Sequence, residues 1–155
     1  MVAIGFIVTH DFITPPHKVW EEMIDWEAHG DWVPATRVEI DDGDPRAVGG
    51  TFTAYTGVGP LMLVDRMEVL AIDWDPETST GYCEVAKIGP VLDGKAGFTL
   101  TSHGNGARIV WFEDVTVDRL PSFIDPLGPL LSKVGALGFS FAMKRFDSSL
   151  RAVPS

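Results

Sequence analysis

The sequence contains a single cysteine, Cys83, so no disulfide bond can form within the chain. This shortage is typical of proteins from reducing compartments, because disulfides persist mainly in oxidising ones. The apolar stretch at residues 1–8 has no basic region before it and no small-residue cleavage site, and it indicates a first strand rather than a signal peptide. Together these absences predict a cytoplasmic protein.

The sequence also lacks a membrane span and an excess of basic residues. The longest other apolar stretch, residues 126–143, contains Lys133, two prolines and three glycines, which suits a buried helix better than a membrane span. Twelve Lys and Arg residues stand against 22 Asp and Glu residues, and the net charge is −10. Because such a surface repels phosphate backbones and anionic lipid head groups, we expect no nucleic-acid partner and no membrane insertion.

Motifs of metal, hydrolase and dinucleotide sites are absent. The histidines have no metal-ligand spacing and Cys83 has no nearby partner, so we predict no metal site. Gly-x-Ser-x-Gly does not occur, and Gly57-Val58-Gly59 is too short for a dinucleotide-binding loop. The protein is therefore predicted to need no cofactor.

What the sequence does contain is enough apolar residues for one folded core. With 155 residues, 45% of them hydrophobic, we predict a single domain spanning residues 1–155. Alternating apolar residues predict a first strand over residues 2–12, with His10 on its apolar face. A helical segment follows, with Thr14 as the expected N-cap, two prolines in the first turn and Gly30 as the expected end.

From residue 36 onward the hydrophobic period is two, interrupted by turn sequences rich in Gly, Asp and Pro. The predicted strands cover residues 36–40, 50–56, 61–74, 80–88, 95–103 and 107–117. Six strands joined by short turns predict an antiparallel meander, since parallel strands need long crossover connections. Gly104-Asn105-Gly106 is a strong hairpin signal between the last two strands.

A helical period returns at about Asp125. It produces two apolar stripes, the first made of Leu127, Leu130, Leu131, Val134, Leu137 and Phe141, and the second of Phe139, Met143, Phe146 and Leu150. We expect a helix with so much apolar surface to be largely enclosed by the sheet. Gly135 and Gly138 permit either close packing against a strand or space for a molecule beside the helix.

The order of these elements and several short motifs carry a resemblance to known proteins. The motifs are Pro15-Pro16-His17-Lys18-Val19-Trp20 leading to Asp25, Trp32-Val33-Pro34, Gly49-Gly50-Thr51-Phe52, Gly94-Lys95-Ala96-Gly97-Phe98 and Ala107-Arg108-Ile109-Val110-Trp111-Phe112-Glu113. The chain resembles the START and Bet v 1-like (SRPBCC) superfamily, and within it the bacterial polyketide cyclase/dehydrase-type proteins. The resemblance implies an α+β helix-grip fold, a curved antiparallel sheet of about seven strands wrapped around a long C-terminal helix. It also implies a cavity between sheet and helix that holds a hydrophobic small molecule.

Two carboxylates are predicted to face the inside of the sheet. The more apolar side of the last strand includes Glu113, and the corresponding side of the third meander strand includes Asp65. Burial raises the pKa of a carboxyl group, which suits a general acid or base near neutral pH, or a group that binds a ligand hydroxyl. The alternative is a structural carboxylate paired with Arg66, Arg108 or a backbone donor.

Strand parity and aromatic positions together give the candidate ligand-binding set. Its members are His10, Trp32, Tyr55, Leu63, Asp65, Met67, Phe98, Trp111, Glu113, Val134, Leu137 and Phe141. The aromatic members either line a pocket or fill the core, and the sequence leaves both open. For His10 the alternative is a hydrogen-bonded core histidine, and His17, His29 and His103 are expected at the surface or as capping groups.

Three functions are compatible with this sequence. The first is binding or carrying of a lipid, polyketide or isoprenoid-like molecule in an internal cavity. The second is a polyketide cyclase or dehydratase that uses Glu113 or Asp65 as its proton-transfer group. The third is a protein-interaction module without a ligand, which an exposed apolar patch and a filled interior would favour. No feature of the sequence indicates an oligomeric state.

Overall fold

A computed structural model describes residues 1–118 and 120–152, apart from the side chain of Leu61. It contains seven strands and three α-helices, and 3-10 turns lie at Trp26–Ala28, Gly59–Leu61 and Ser122–Leu127. The strands are β1 (Val2–Phe12), β2 (Thr36–Asp42), β3 (Thr51–Thr56), β4 (Leu63–Asp75), β5 (Thr80–Pro90), β6 (Leu92–His103) and β7 (Gly106–Val117). The helices are α1 (Pro16–Met23), α2 (His29–Trp32) and α3 (Gly128–Ala152).

The strands form one antiparallel sheet in the order β1-β7-β6-β5-β4-β3-β2. Strands β2 to β7 are neighbours in sequence order because short turns connect them. Between β6 and β7 the turn consists of Gly104 and Asn105, and Gly104 has a φ of +57°, which glycine adopts without steric cost. β1 then pairs with β7 along its length. The predicted meander and the α+β helix-grip fold are confirmed.

Alternating side chains of the central strands form the buried face of the curved sheet. In β7 the side chains of Ala107, Ile109 and Trp111 are buried, on the side that parity predicts. In β4 Asp65 and Met67 are buried in the same way. The interior therefore lies where the alternation of the sequence places it.

Two details of the first helical segment differ from the prediction. Pro15, not Thr14, occupies the N-cap of α1, and no side chain caps it. Gly30 lies inside α2 instead of ending the segment. A Cβ at Gly30 would lie 2.7 Å from the carbonyl oxygen of Thr36, so glycine is required by close packing against β2.

The C-terminal helix α3 buries only one of its two apolar stripes. Met143 and Phe146, from the second stripe, are 0% and 2% exposed. The expectation that the first stripe is also enclosed is wrong, because α3 lies against the sheet on one side and its outer side remains uncovered. The exposed members are Leu127, Leu130, Val134, Leu137 and Phe141. None of the helices among the described residues is long and apolar enough to cross a membrane.

The two glycines of α3 have different surroundings. A Cβ at Gly135 would lie 2.9 Å from the Phe6 ring, so this glycine permits close packing on β1. A Cβ at Gly138 would meet no atom within 4 Å, and Gly138 is exposed on the outer side of the helix. Of the two explanations offered by the sequence, close packing holds for Gly135, and neither glycine leaves internal space for a ligand.

The two stripes of α3 provide a matched test of the packing. Replacing buried Phe146 with alanine should lower the free energy of unfolding by about 3–5 kcal/mol, because a cavity opens in the core. Phe141→Ala, at a phenylalanine that is 56% exposed, should change it by no more than about 0.5 kcal/mol. Urea unfolding followed by circular dichroism measures both. Equal losses from the two variants would contradict this assignment of the buried face.

Candidate functional site

A cavity of about 190 Å³ lies between the inner face of the sheet and the segments that cover it. Six of the seven strands contribute to its wall, together with α2, the turn before it and α3. Most of the wall is aromatic or aliphatic. The lining residues are Trp26, His29, Trp32, Val33, Thr36, Val38, Phe52, Ala54, Thr56, Asp65, Met67, Val85, Lys87, Ala96, Gly97, Trp111, Glu113 and Phe139.

A buried lysine lies on this wall between the two predicted carboxylates. The Lys87 Nζ donates to Oδ2 of Asp65 at 2.5 Å and to Sδ of Met67 at 3.4 Å. The Lys87 Nζ lies 3.9 Å from Oε2 of Glu113, which makes an ion pair but not a hydrogen bond. Lys87 faces inward because it shares the buried side of β5 with Cys83 and Val85. The carboxylates are therefore paired with Lys87, and not with either arginine that the sequence suggested.

The charges of this cluster shift its pKa values in ways that follow from burial. Burial opposes the charge on Lys87, but the attraction of Glu113 and Asp65 outweighs it and raises the lysine pKa. Burial raises the pKa of Glu113, and the nearby Lys87 offsets only part of this effect. Lys87 is thus the cation near both carboxyl groups, and burial favours the protonated form of Glu113.

Glu113 is held in place by an aromatic stack. The Trp111 Nε1 donates to Oε1 of Glu113 at 3.1 Å, two positions apart on the same side of β7. The Trp111 ring stacks on Phe98 with centroids 5.5 Å apart and on Phe139 at 4.5 Å. Since the stack fixes the indole, it also fixes the direction of the carboxyl group.

His29 is a cavity residue that the sequence placed at the surface or in a cap. Its side chain is partly buried, and its Nε2 donates to the carbonyl oxygen of Met23 at 2.6 Å. Because a carbonyl only accepts, Nε2 carries the hydrogen and Nδ1 remains an acceptor. Burial lowers the pKa of His29 to about 4, although the bond to Met23 opposes this, so the ring is neutral at pH 7. The capping alternative holds for His29, because it donates to the carbonyl oxygen of Met23, the last residue of α1. Its place on the cavity wall, which the sequence did not indicate, depends on how the α1–β2 segment folds over the sheet.

The remaining predicted ligand-binding residues divide between the wall and other places. Five of the twelve line the cavity: Trp32, Asp65, Met67, Trp111 and Glu113. Phe98 is 1% exposed and fills the core behind Trp111. Leu63 lies at the first residue of β4, outside the lining of the cavity. Their ligand-binding role stays a prediction.

Tyr55 lies on the opposite side of β3 from the cavity. Its ring lies under the guanidinium of Arg37, 4.1 Å away, and the two residues are paired in the sheet register. Phe52 and Ala54, with the other parity, line the cavity. The structure therefore corrects the placement of Tyr55 among the cavity residues. The prediction is wrong by one position along β3, because neighbouring side chains of a strand point to opposite faces of the sheet.

Three predicted residues of α3 are outside the site because they belong to the apolar stripe that the sheet does not cover. Val134, Leu137 and Phe141 are on the exposed side of the helix, at 58%, 72% and 56% exposure. Phe139, from the second stripe, provides the contact of α3 with the cavity. The sequence shows which residues share a side of the helix, but two apolar sides leave the choice between them open.

His10 joins β1 to the end of α3 and does not line the cavity. Its Nε2 lies 2.8 Å from Oδ2 of Asp147, and Arg151 donates two 3.0 Å bonds to the same carboxylate. Asp147 is 4% exposed, so its charge is stabilised by these two partners. The alternative interpretation of His10, a hydrogen-bonded histidine of the core, describes the arrangement.

Nucleophilic and metal chemistry gain no support from the described residues. Cys83 is buried, and burial raises the pKa of its thiol to about 12, which keeps it protonated. Within residues 1–118 and 120–152, no group of three or more His, Cys, Asp and Glu residues is arranged to hold a metal ion. The chemistry available at the cavity is that of Lys87, Asp65, Glu113 and His29.

The antiparallel sheet, the long C-terminal helix and the cavity between them define the helix-grip fold of START and Bet v 1-like proteins. The solved structures that share this fold over nearly the whole chain include the following three. A START superfamily protein from Mycobacterium smegmatis is 15% identical with a TM-score of 0.68, covering 95% of this chain and 97% of that one. The Zhui aromatase/cyclase from Streptomyces sp. R1128 is 15% identical with a TM-score of 0.65, covering 95% and 93%.

The third structure is Ara h 8.0201, 16% identical with a TM-score of 0.57, covering 93% of this chain and 98% of that one. Neither a protein-family model nor a curated protein matches the sequence. At these identities the likeness establishes the fold alone, and function has to be argued from the cavity.

The lowered pKa of His29 has a measurable consequence. As pH falls from 6.5 to 4, the unfolded chain binds a proton at this position before the folded protein does, so stability is lost over that interval. The stability difference between the wild type and His29→Gln should therefore change by about 1–3 kcal/mol between pH 7 and pH 4, since one pKa unit corresponds to about 1.4 kcal/mol. In NMR titration the ring of His29 should have a midpoint at about 4. A midpoint near 6.5 would show that His29 is open to solvent.

Proposed function

We propose that the protein binds a compact, uncharged and largely apolar molecule that carries a hydrogen-bond donor such as a hydroxyl group. The observation that carries this proposal is the Lys87–Asp65–Glu113 cluster on the wall of an otherwise aromatic and aliphatic cavity. Cavities with apolar walls and a few polar groups are the usual form of a small-molecule site. The polar groups then select which end of the ligand enters.

The volume of the cavity limits the ligand to about one ring. An engineered apolar cavity of about 150 Å³ binds benzene, whereas sites for drug-sized ligands measure about 300–1,000 Å³. At about 190 Å³ the cavity lies close to the first case. A single-ring phenol or cyclic alcohol fits this space, and long lipid or multi-ring polyketide ligands exceed it.

The polar atoms of the cavity favour a ligand that donates a hydrogen bond. Within the described residues, Oδ1 of Asp65 is buried and has no hydrogen-bond partner. Oε2 of Glu113 is too far from Lys87 for a hydrogen bond, and Nδ1 of His29 is an acceptor. Oδ1 of Asp65 and Nδ1 of His29 are acceptors, and Glu113 accepts in its ionised form. Two carboxyl groups and one lysine also make the site unfavourable for a carboxylate ligand, because like charges repel in a buried site.

A series of single-ring compounds tests the proposal. Phenol should bind about 10-fold or more tightly than anisole, since a hydrogen bond to a charged acceptor contributes about 1.5–3 kcal/mol. Benzoate should bind more weakly than anisole. Titration calorimetry gives the affinities, and Tyr55→Phe, on the opposite side of the sheet, is the control that should change none of them. If benzoate or anisole binds as well as phenol, or if phenol does not bind, the proposal fails.

The cyclase or dehydratase hypothesis is a second candidate, favoured by the raised pKa of Glu113 on the wall of a cavity that the neutral ring of His29 also lines. A carboxyl group with a raised pKa is better suited to exchange a proton with a bound ligand than an ordinary carboxyl group. If Glu113 is the proton-transfer group, Glu113→Gln should abolish conversion of a bound substrate while the affinity stays nearly unchanged. Mass spectrometry of wild type and variant incubated with the same ring compounds detects conversion, and equal conversion by both would exclude this role.

The protein-interaction hypothesis requires an exposed apolar patch and a filled interior, and the structure meets only the first requirement. The outer side of α3 is an exposed apolar stripe, as that hypothesis requires. The interior contains a cavity and is not filled, however. The ligand-binding proposal is therefore the one that the interior supports.

A further inference from the structure

A second cleft, of about 340 Å³, shares the lining residue Trp32 with the cavity. It is bounded by α1, by α2 and by the last turns of α3, with Phe146 and Leu150 on its apolar side. Lys18, Glu21 and Asp31 lie on its polar side. Since Trp32 lines both spaces, its indole is placed to separate them.

Trp32 is buried but is held by packing alone. It is 3% exposed, and among the described residues its Nε1 has no hydrogen-bond partner. The contacts of its ring are aromatic, with centroid distances of 4.7 Å to His29 and 5.0 Å to Phe146. A buried donor without a partner disfavours this position of the indole, and a rotation that exposed Nε1 to water would relieve that cost.

The backbone below Trp32 is fixed more firmly than its side chain. Gly30 of α2 packs so closely on β2 that a Cβ there would lie 2.7 Å from the carbonyl oxygen of Thr36. The backbone nitrogen of Val33 donates to the carbonyl oxygen of His29 at 2.8 Å. Since the backbone is anchored on both sides of Trp32, we expect rotation of the indole, and not movement of α2, to join the two spaces.

We infer that Trp32 divides one larger binding site into an inner and an outer compartment and thereby determines the size of ligand that the protein accepts. The inference rests on the proposed function for the inner compartment. Joined by rotation of Trp32, spaces of about 190 and 340 Å³ reach the size of sites for drug-sized ligands. The joined site takes an uncharged two-ring molecule whose hydroxyl group reaches the Lys87 cluster and whose second ring lies against Phe146 and Leu150.

Charge in the outer compartment supports the uncharged class of ligand. Its lining includes three acidic residues, Glu21, Glu22 and Asp31, and one basic residue, Lys18. An anion is therefore disfavoured in the outer compartment as well as in the inner one. The suitable probes are phenol for the inner compartment and 2-naphthol, which is uncharged near neutral pH and has one more ring, for the joined site.

The experiment compares the affinities of both probes for the wild type, Trp32→Ala and Leu150→Ala by titration calorimetry. Trp32→Ala should bind 2-naphthol about 10-fold more tightly than the wild type, a change of about 1.4 kcal/mol, while its affinity for phenol does not rise. Leu150→Ala enlarges the outer compartment without opening the wall, so it should bring no such gain. Circular dichroism verifies that each variant is folded, and if Trp32→Ala is not, Trp32→Phe should give a gain of about 3-fold.

Two outcomes would overturn the inference. One is a folded Trp32 variant that binds phenol but gains nothing for 2-naphthol. The other is an equal gain from Leu150→Ala, which would show that the outer cleft binds on its own. Failure of the proposed function gives a different result, because the wild type would then not bind phenol. Even in that case, a higher affinity of Trp32→Ala for 2-naphthol would show that Trp32 separates two spaces.

Discussion

The ion pair between Lys87 and Asp65, with Glu113 beside it, constrains the interior of this protein more than any other interaction. Moving a charge out of water costs several kcal/mol, so the ammonium group is stable inside the sheet only with partners at short distance. The 2.5 Å contact to Asp65 supplies one partner from the neighbouring strand. Glu113 adds a second carboxyl group from β7, two strands away from Lys87. The cluster therefore depends on the register of three strands at once.

The register makes this meeting possible because the strand between Lys87 and Glu113 carries a small residue. Ala96 on β6 lies opposite Glu113 in the pairing and is itself 1% exposed. Its methyl group leaves room above it for the longer side chains of β5 and β7. A polar cluster at this position cannot be covered by close apolar packing without losing its solvation or its partners. We attribute the cavity to this constraint, since the aromatic residues around it pack against each other and Trp111 meets the cluster through a hydrogen bond to Glu113.

The covering segments show the same division between packing and polarity. Trp26 stacks on Phe52 with centroids 4.6 Å apart and rings nearly parallel, which fixes the α1–β2 segment over the sheet. His29 and Trp32 follow within that segment, and both reach the cavity. Aromatic packing thus positions the cover, and His29 and Trp32 bring its polar groups to the cavity.

The sequence predicts the parts of this arrangement that depend on local periodicity. The strand order, the hairpin at Gly104 and the inward direction of Asp65 and Glu113 follow from alternation along each strand. Lys87 was within reach of the same rule, since it shares the parity of Cys83 and Val85, but a lysine among apolar residues is ordinarily assigned to the surface.

The remaining features depend on contacts between distant segments. Which apolar stripe of α3 is buried depends on the side of the helix that packs on β1. The helical period shows only which residues share a side, so it does not predict which side is buried. The position of His29 depends on the path of the chain between α1 and β2, and the wall role of Trp32 depends on two spaces that exist only in the folded protein. Tyr55 differs from the prediction by a single residue in the strand, which reverses the side of the sheet.

The measurement that tests this account most directly is a double-mutant cycle on Lys87 and Asp65. Lys87→Met, Asp65→Asn and the double variant are compared with the wild type by urea unfolding. If the ion pair is formed in the interior, each single variant should lower the free energy of unfolding by about 3–5 kcal/mol. The decrease in the double variant should be smaller than the sum of the two single decreases by at least about 1.5 kcal/mol. Additive losses, within about 0.5 kcal/mol, would show that the two groups do not interact and would contradict the account of the cavity.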